Sequence, residues 1–339
     1  MKGNKAAVLL LGALLWAPGI LKASAVTPPM VESGALDFTA PLQQRANELA
    51  ATRKPLELLT ASLLAMPAEA SAMASPSTTP SQSDAWLAQA IALGSDQPVI
   101  ARVAVSRCIS SGQCDIPVAI NTLRTQEADD AVAQLLLWQM AVREGDASAA
   151  ASAWARVAQA SRVEDEYAQY LGLLDRMTIG MRLPIEGADP GMDPDEPRQT
   201  MLYALAAALT VTWLAPVHRE CPATKGVVPK QGCLRLAALM ADSTSALVSS
   251  FGISKMKGYA PDETEQKSWQ ERKRQLDWLI HSAAALQGTE SNATPAEAQH
   301  YLRWISENGE LPAMHQLLAV HGVATQPPTD WQPSLLAPK

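Results

Sequence analysis

Alanine and leucine dominate this chain: 59 Ala and 41 Leu among 339 residues, against 2 Phe and 5 Tyr. Strands are built mainly from β-branched and aromatic side chains, helices from Ala, Leu, Glu and Gln. That imbalance excludes an all-β fold and leaves few residues to populate a parallel α/β sheet. With 47% hydrophobic and 18% charged residues the chain can bury a sizeable core, which excludes wholesale disorder. The expected fold is all-α: stacked antiparallel helical hairpins, either α-solenoid-like or an irregular helical array.

The N-terminus speaks to compartment. Lys2 and Lys5 precede an apolar stretch, Ala6 to Ala17, about the length of a signal-peptide core and short for a bilayer span. Pro18 and Gly19 interrupt it, and Ala23-Ser24-Ala25 offers the small-x-small pattern that a signal peptidase accepts. Residues 1–25 are therefore expected to be a signal peptide, and the protein to be exported, periplasmic or secreted. Losing them removes three Lys and no acid, which takes the formal charge from −7 to −10. Such a charge does not suit nucleic-acid binding, which needs clustered Lys and Arg. The longest later apolar run, Met201 to Ala215, is 15 residues long and reads as a buried core helix. No transmembrane span is expected in the mature chain.

Four cysteines agree with export. Cys108 and Cys114 flank a short turn-like stretch, and Cys221 and Cys233 flank one holding Pro222, Gly226, Pro229 and Gly232. Four Cys permit three connectivities; local pairing, Cys108–Cys114 and Cys221–Cys233, orders the least chain. Neither spacing suits zinc or a C-x-x-C redox pair. His218 and Cys221 could share a helical turn as metal ligands, but no second such pair accompanies them.

Apolar periodicity predicts helix after helix, at about 41–52, 55–66, 84–93, 98–107, 116–125, 129–144, 146–160, 163–179, 198–215, 233–251, 262–286, 295–309 and 312–321. Thr39, Asp84 and Asp146 are expected N-caps, and Gly94, Gly145 and Gly252 expected stops. Thr294-Pro295-Ala296-Glu297 has the pattern of a capping box with Pro at N1. The expected organisation is a helical segment over 26–66, an Ala/Ser/Pro linker over 67–83, a main helical domain over 84–322 and a Pro-rich tail over 323–339. The Pro-rich acidic stretch 184–197 is a candidate sub-boundary in the main domain.

In residues 134–160, a helix, a Gly-Asp turn and a second helix follow one another. Leu137, Gly145, Ala150 and Trp154 fall where a tetratricopeptide repeat has its Leu, turn residue, small residue and aromatic. This hairpin resembles the tetratricopeptide family. Trp138 stands where that family has a small residue, and no second copy follows at 34 residues. The resemblance implies stacked helical hairpins and a concave surface that binds peptides or proteins.

Chemistry-bearing residues are scattered. Glu186, Asp189, Asp193, Asp195 and Glu196 gather in the acidic loop, but Pro190, Pro194 and Pro197 bias the backbone to spread them, so a connector is expected rather than a calcium site. His281, His300, His315 and His321 form no H-E-x-x-H, and no G-x-S-x-G, Walker or dinucleotide glycine pattern occurs. Lys267, Arg272, Lys273 and Arg274 follow Asp262, Glu263 and Glu265 in one helix, an order that complements the helix dipole and suggests a solvated face. No catalytic, cofactor-binding or metal residue is therefore assigned. The expectation is an interaction module of the cell envelope with a protein or peptide partner. The alternatives are a secreted hydrolase built from dispersed carboxylates, and an inhibitor or immunity-type protein.

Overall fold

Side-chain oxygens and positive-φ glycines punctuate the chain into helices. Asp130, Asp146 and Asp165 each accept the backbone N–H three residues on, at 2.9, 2.9 and 3.1 Å, and so open three successive helices. Gly112 and Gly145 close two helices with φ of 83° and 73°, a conformation glycine adopts without a Cβ penalty.

The structure is a computed structural model that describes residues 38–72, 81–112, 115–183, 195–210, 213–223, 232–287 and 295–333. The expected signal peptide, residues 1–25, lies outside them. The helices are α1 (Thr39–Ala51), α2 (Pro55–Ala72), α3 (Gln82–Gly94), α4 (Pro98–Ser111), α5 (Pro117–Gln126), α6 (Ala131–Glu144), α7 (Ala147–Gln159) and α8 (Glu166–Thr178). They continue as α9 (Glu196–Thr210), α10 (Leu214–Glu220), α11 (Cys233–Ala241), α12 (Ala246–Tyr259), α13 (Glu263–Gln287), α14 (Pro295–Asn308) and α15 (Glu310–Val320). The fold is all-α. No strand occurs among the described residues, only an isolated parallel bridge between Asp130 and Arg162.

Neighbours in sequence pack as pairs: α1 on α2, α2 on α3, α6 on α7, α11 on α12 and α14 on α15. Longer-range contacts close the array: α14 on α8, α15 on α13, α2 on α8 and α7 on α11. The largest core accordingly joins Leu58, Leu59 and Leu64 of α2 with Leu171 and Leu174 of α8 and with Leu302 and Leu318 of α14 and α15. A second core, built from α4 to α7, holds Val105, Leu123, Leu136 and Met140.

Several expected boundaries move, each for a local reason. The N-cap of α1 is Phe38 rather than Thr39, which is already helical. Ser81 caps α3 by accepting the Asp84 N–H at 3.1 Å, so Asp84 stands inside the first turn. Residues 67–72, expected to open the linker, belong to α2, and residues 73–80 lie outside the described ones. The predicted helix 163–179 begins at Glu166, since Asp165 is its cap.

The predicted helix 233–251 is two helices. Between them the Ser243 hydroxyl accepts the Ser245 N–H at 3.2 Å and the Thr244 hydroxyl donates to Asp165 at 2.9 Å. Such side chains compete with the helical ladder. Gly252, expected as a stop, lies inside α12: a Cβ there would come within 2.2 Å of the Ala241 nitrogen, so its lack of a side chain lets α12 cross α11. Gly94 is the last residue of α3, with Ser95 as the C-cap, and its lack of a side chain likewise admits a close neighbour: a Cβ there would come within 2.5 Å of Pro55.

By length and composition, Glu196–Glu220 is long and apolar enough to cross a membrane. Here it supplies Met201, Leu202, Ala206, Trp213, Leu214 and Val217 to the buried cores.

Candidate functional site

Helices α5, α6 and α7 enclose a groove of about 530 Å³. Each contributes one stripe at helical spacing. The α6 floor is Leu137, Met140, Ala141 and Glu144, and one wall is Pro117, Ile120, Asn121 and Arg124 of α5. The other wall is low, because α7 presents Ser148, Ala149, Ser152 and Ala153 there, with Arg156 beyond them. Small side chains at those places leave the space that larger ones would fill.

The groove carries charge of both signs. Arg124 is exposed, and Arg156 is half-buried with its Nε enclosed and without a hydrogen-bond partner. Arg156 Nη2 reaches only the Ser152 hydroxyl, at 3.3 Å. Glu144 and the N-cap Asp146 line the same space.

A second constellation lies behind it. Arg102 of α4 is 1% exposed. Its Nε and Nη2 donate to the Glu127 carboxylate at 2.7 and 2.6 Å, and Asp130 and Glu166 stand 3.3 and 3.6 Å away. Burial opposes the charge, yet the Glu127 hydrogen bonds and the neighbouring carboxylates outweigh it and hold the guanidinium above its ordinary pKa. Glu166 also accepts the Trp213 indole N–H at 3.0 Å, and burial pushes its carboxyl up to about 7. Asp130 accepts the Glu164 N–H at 2.7 Å besides capping α6. Every group in the cluster is enclosed by side chains, so the cluster ties α4, α6 and α8 together and offers no open face to a substrate.

A third cluster surrounds the Cys221–Cys233 disulfide, whose Cα atoms are 5.5 Å apart. Lys255 is 5% exposed; its ammonium donates to the Cys221 carbonyl at 2.6 Å and lies 5.2 Å from the centre of the Phe251 ring. Burial brings its pKa down to about 8. Tyr259 donates to the same carbonyl at 3.0 Å. The loop end is thus pinned by a bridge, a lysine and a phenol. Cys108 is also disulfide-bonded. Cys114 lies outside the described residues.

The structure disperses most of the residues the sequence singles out. His218 stands 3.2 Å from Lys255, and Cys221 is spent in the bridge. His281 lies 6.1 Å from the Trp331 ring, His300 6.2 Å from that of Trp304, and His321 3.5 Å from Glu297. His315 is exposed on α15. Among the described residues no group of three or more His, Cys, Asp or Glu is arranged to hold a metal ion. Glu186, Asp189 and Asp193 fall outside the described residues, while Asp195 accepts from Gln299 at 2.9 Å and Glu196 opens α9. Thr294 is likewise outside.

The basic run is not simply solvated. Arg272 donates to the Ala241 carbonyl at 2.8 Å and to Asp242 at 2.6 Å. Lys273 pairs with Asp277. Arg274 donates to the carbonyls of Pro328 and Trp331 at 3.0 and 3.3 Å, and Trp331 packs 5.2 Å from Trp278. The run therefore docks the chain's own C-terminal stretch. Of the hairpin that resembles a tetratricopeptide repeat, Trp138 and Trp154 pack with ring centres 5.2 Å apart.

Comparison with known protein families, with curated proteins and with solved structures finds no match for this chain.

Sequence reasoning missed Arg102, Glu127, Asp130 and Glu166, whose partners are up to 64 residues apart in the chain. It also missed Arg124 and Arg156. The one signal for that pair was the helical spacing of α5 and α7, which places each arginine on the stripe facing α6.

Proposed function

We propose that this chain is a peptide-binding module of the cell envelope, with the groove between α5 and α7 as its binding surface. The observation that carries the reading is the groove itself. An apolar floor of Leu137, Met140 and Ala141 lies between charged edges, with the Arg156 Nε enclosed and lacking a protein acceptor. A buried donor without an acceptor is costly, and a ligand that supplies one recovers that cost. Apolar surface with a few placed polar groups is what peptide and small-molecule sites share. The resemblance of the α6–α7 hairpin to tetratricopeptide repeats points the same way.

The bonded cysteines favour an oxidising compartment, and the apolar N-terminal stretch with Ala23-Ser24-Ala25 favours export. The hydrolase alternative draws less support. The carboxylates that converge do so on Arg102, in a cluster 8% exposed or less.

The test is selection from a randomised short-peptide library followed by hydrogen exchange. Retained peptides should slow exchange in α5, α6 and α7. Retention with protection elsewhere, or no retention at all, would overturn the reading. Recovery of the native protein with residues 1–25 still attached would remove export from it.

A further inference from the structure

The two arginines and the two acids lie at opposite ends of the groove. The end of α5 lies at the start of α4, where Thr122 and Gln126 donate to the Ser95 and Asp96 carbonyls, and the start of α6 is close by, where Asp130 meets Arg102. Arg124, near the end of α5, therefore sits towards the start of α6. Helix α7 returns along α6 after the turn at Gly145 and Asp146, which brings Arg156 back to the same end. Glu144 and Asp146 mark the turn end. Ten residues separate Asp146 from Arg156, about 15 Å at 1.5 Å per helical residue. An extended peptide advances about 3.3 Å per residue, so four to five residues cover that distance.

Neither arginine is in an ion pair among the described residues, and the Arg156 Nε has no acceptor. Glu144 is exposed and equally unpaired, while Asp146 uses one oxygen to cap α7. The groove therefore offers cationic donors at one end, anionic acceptors at the other and an apolar floor between.

Resting on the peptide-binding reading, we propose that the groove takes a short free peptide of four or five residues in extended form. Its carboxylate is held by Arg124 and Arg156, and its amino group by Glu144 and Asp146. Planar guanidinium groups suit a carboxylate. The ends of a free peptide carry opposite charges on the chain axis, in the order that the groove presents. The low wall of Ser148, Ala149, Ser152 and Ala153 leaves room for side chains that alternate across the strand. Nucleic acid and polyphosphate fit poorly, because the acids at the turn end repel them.

Calorimetric titration of the intact protein with Ala-Leu-Ala-Leu-Ala tests this. The peptide with both ends free should bind, and amidating its C-terminus or acetylating its N-terminus should each weaken binding roughly tenfold. The dipeptide Ala-Leu, too short to reach both ends, should bind at least tenfold more weakly than the pentapeptide. Arg124→Gln and Arg156→Gln should abolish the preference for a free carboxylate, and Glu144→Gln should reduce that for a free amine, with unchanged melting temperatures. If blocked and free pentapeptides bind equally in the groove, the end-reading proposal fails and the peptide-binding reading stands. If no pentapeptide binds at millimolar concentration, both fail. Binding of inorganic pyrophosphate with the peptides silent assigns the arginines to a phosphate ligand and overturns the proposal.

Discussion

Arg102 shows how much one side chain can organise. It meets Glu127, Asp130 and Glu166, which belong to the α5–α6 connection and the start of α8. Removing one member of a buried charge cluster strands the others. Arg102→Met should therefore lower unfolding free energy by about 3–5 kcal/mol in denaturant titrations, and Arg102→Lys should not rescue it, because an ammonium lacks the two-pronged geometry that Glu127 accepts. Glu166 sets a pH dependence. Burial raises its carboxyl from an ordinary 4.5 to about 7. Between those values the folded protein holds a proton that the unfolded chain releases. Stability is thus full below about 4.5 and declines as pH climbs towards 7, on the order of 1.4 kcal/mol per unit. Glu166→Gln keeps an acceptor for the Trp213 indole and should make that part of the profile shallower, leaving the share of Glu310, whose carboxyl burial also raises to about 7. Thermal melts from pH 4.5 to 8 decide it; an unaltered slope would place the titration elsewhere.

At the scale of helices, a glycine that looks like a helix breaker is a packing residue. Propensity alone says that Gly252→Ala in the middle of α12 should stabilise by up to ~1 kcal/mol. The 2.2 Å approach of the new Cβ to the Ala241 nitrogen reverses the sign. The expected result is a loss of about 1–3 kcal/mol, read as a lower denaturant midpoint, with α11 amides exchanging faster. This residue also marks what was legible from sequence. Helix existence follows from composition and period, so most helices among the described residues sit close to where periodicity puts them. The split of 233–251 was not legible, because it depends on Thr244 meeting Asp165, 79 residues away. The groove was half legible. The stripes of α5, α6 and α7 are in the sequence, while bringing Arg124 and Arg156 to one groove needs the antiparallel packing. The arginine cluster was invisible, since nothing local distinguishes Arg102 from any other arginine in an apolar helix.

For the molecule as a whole, the decisive feature is that its largest core is assembled from both ends of the described chain. Leu58 and Leu64 share it with Leu302 and Leu318. Truncation after Gln287 should therefore expose α8 and α13, open the core that α2 shares, and cost far more than two peripheral helices would. The truncated protein should bind a hydrophobic dye and lose protection in α1 to α3. The buried residues of the α4 to α7 core all fall within 101–153, and it should keep its slow-exchanging amides. Uniform loss of protection would mean that the cores are not separable.

The same closure has a consequence in time. A chain that leaves a narrow channel N-terminus first brings out α1, α2 and α3 long before the last helices that share their core. The middle helices, whose partners are near neighbours, can settle as soon as they emerge, because local contacts close quickly. The leading leucines settle only against one another and α4 until α8, and then the last two helices, arrive to complete the core. Through that interval the chain carries its stickiest surface at its oldest end, and a holding factor that gives way only when α14 and α15 appear would meet it there.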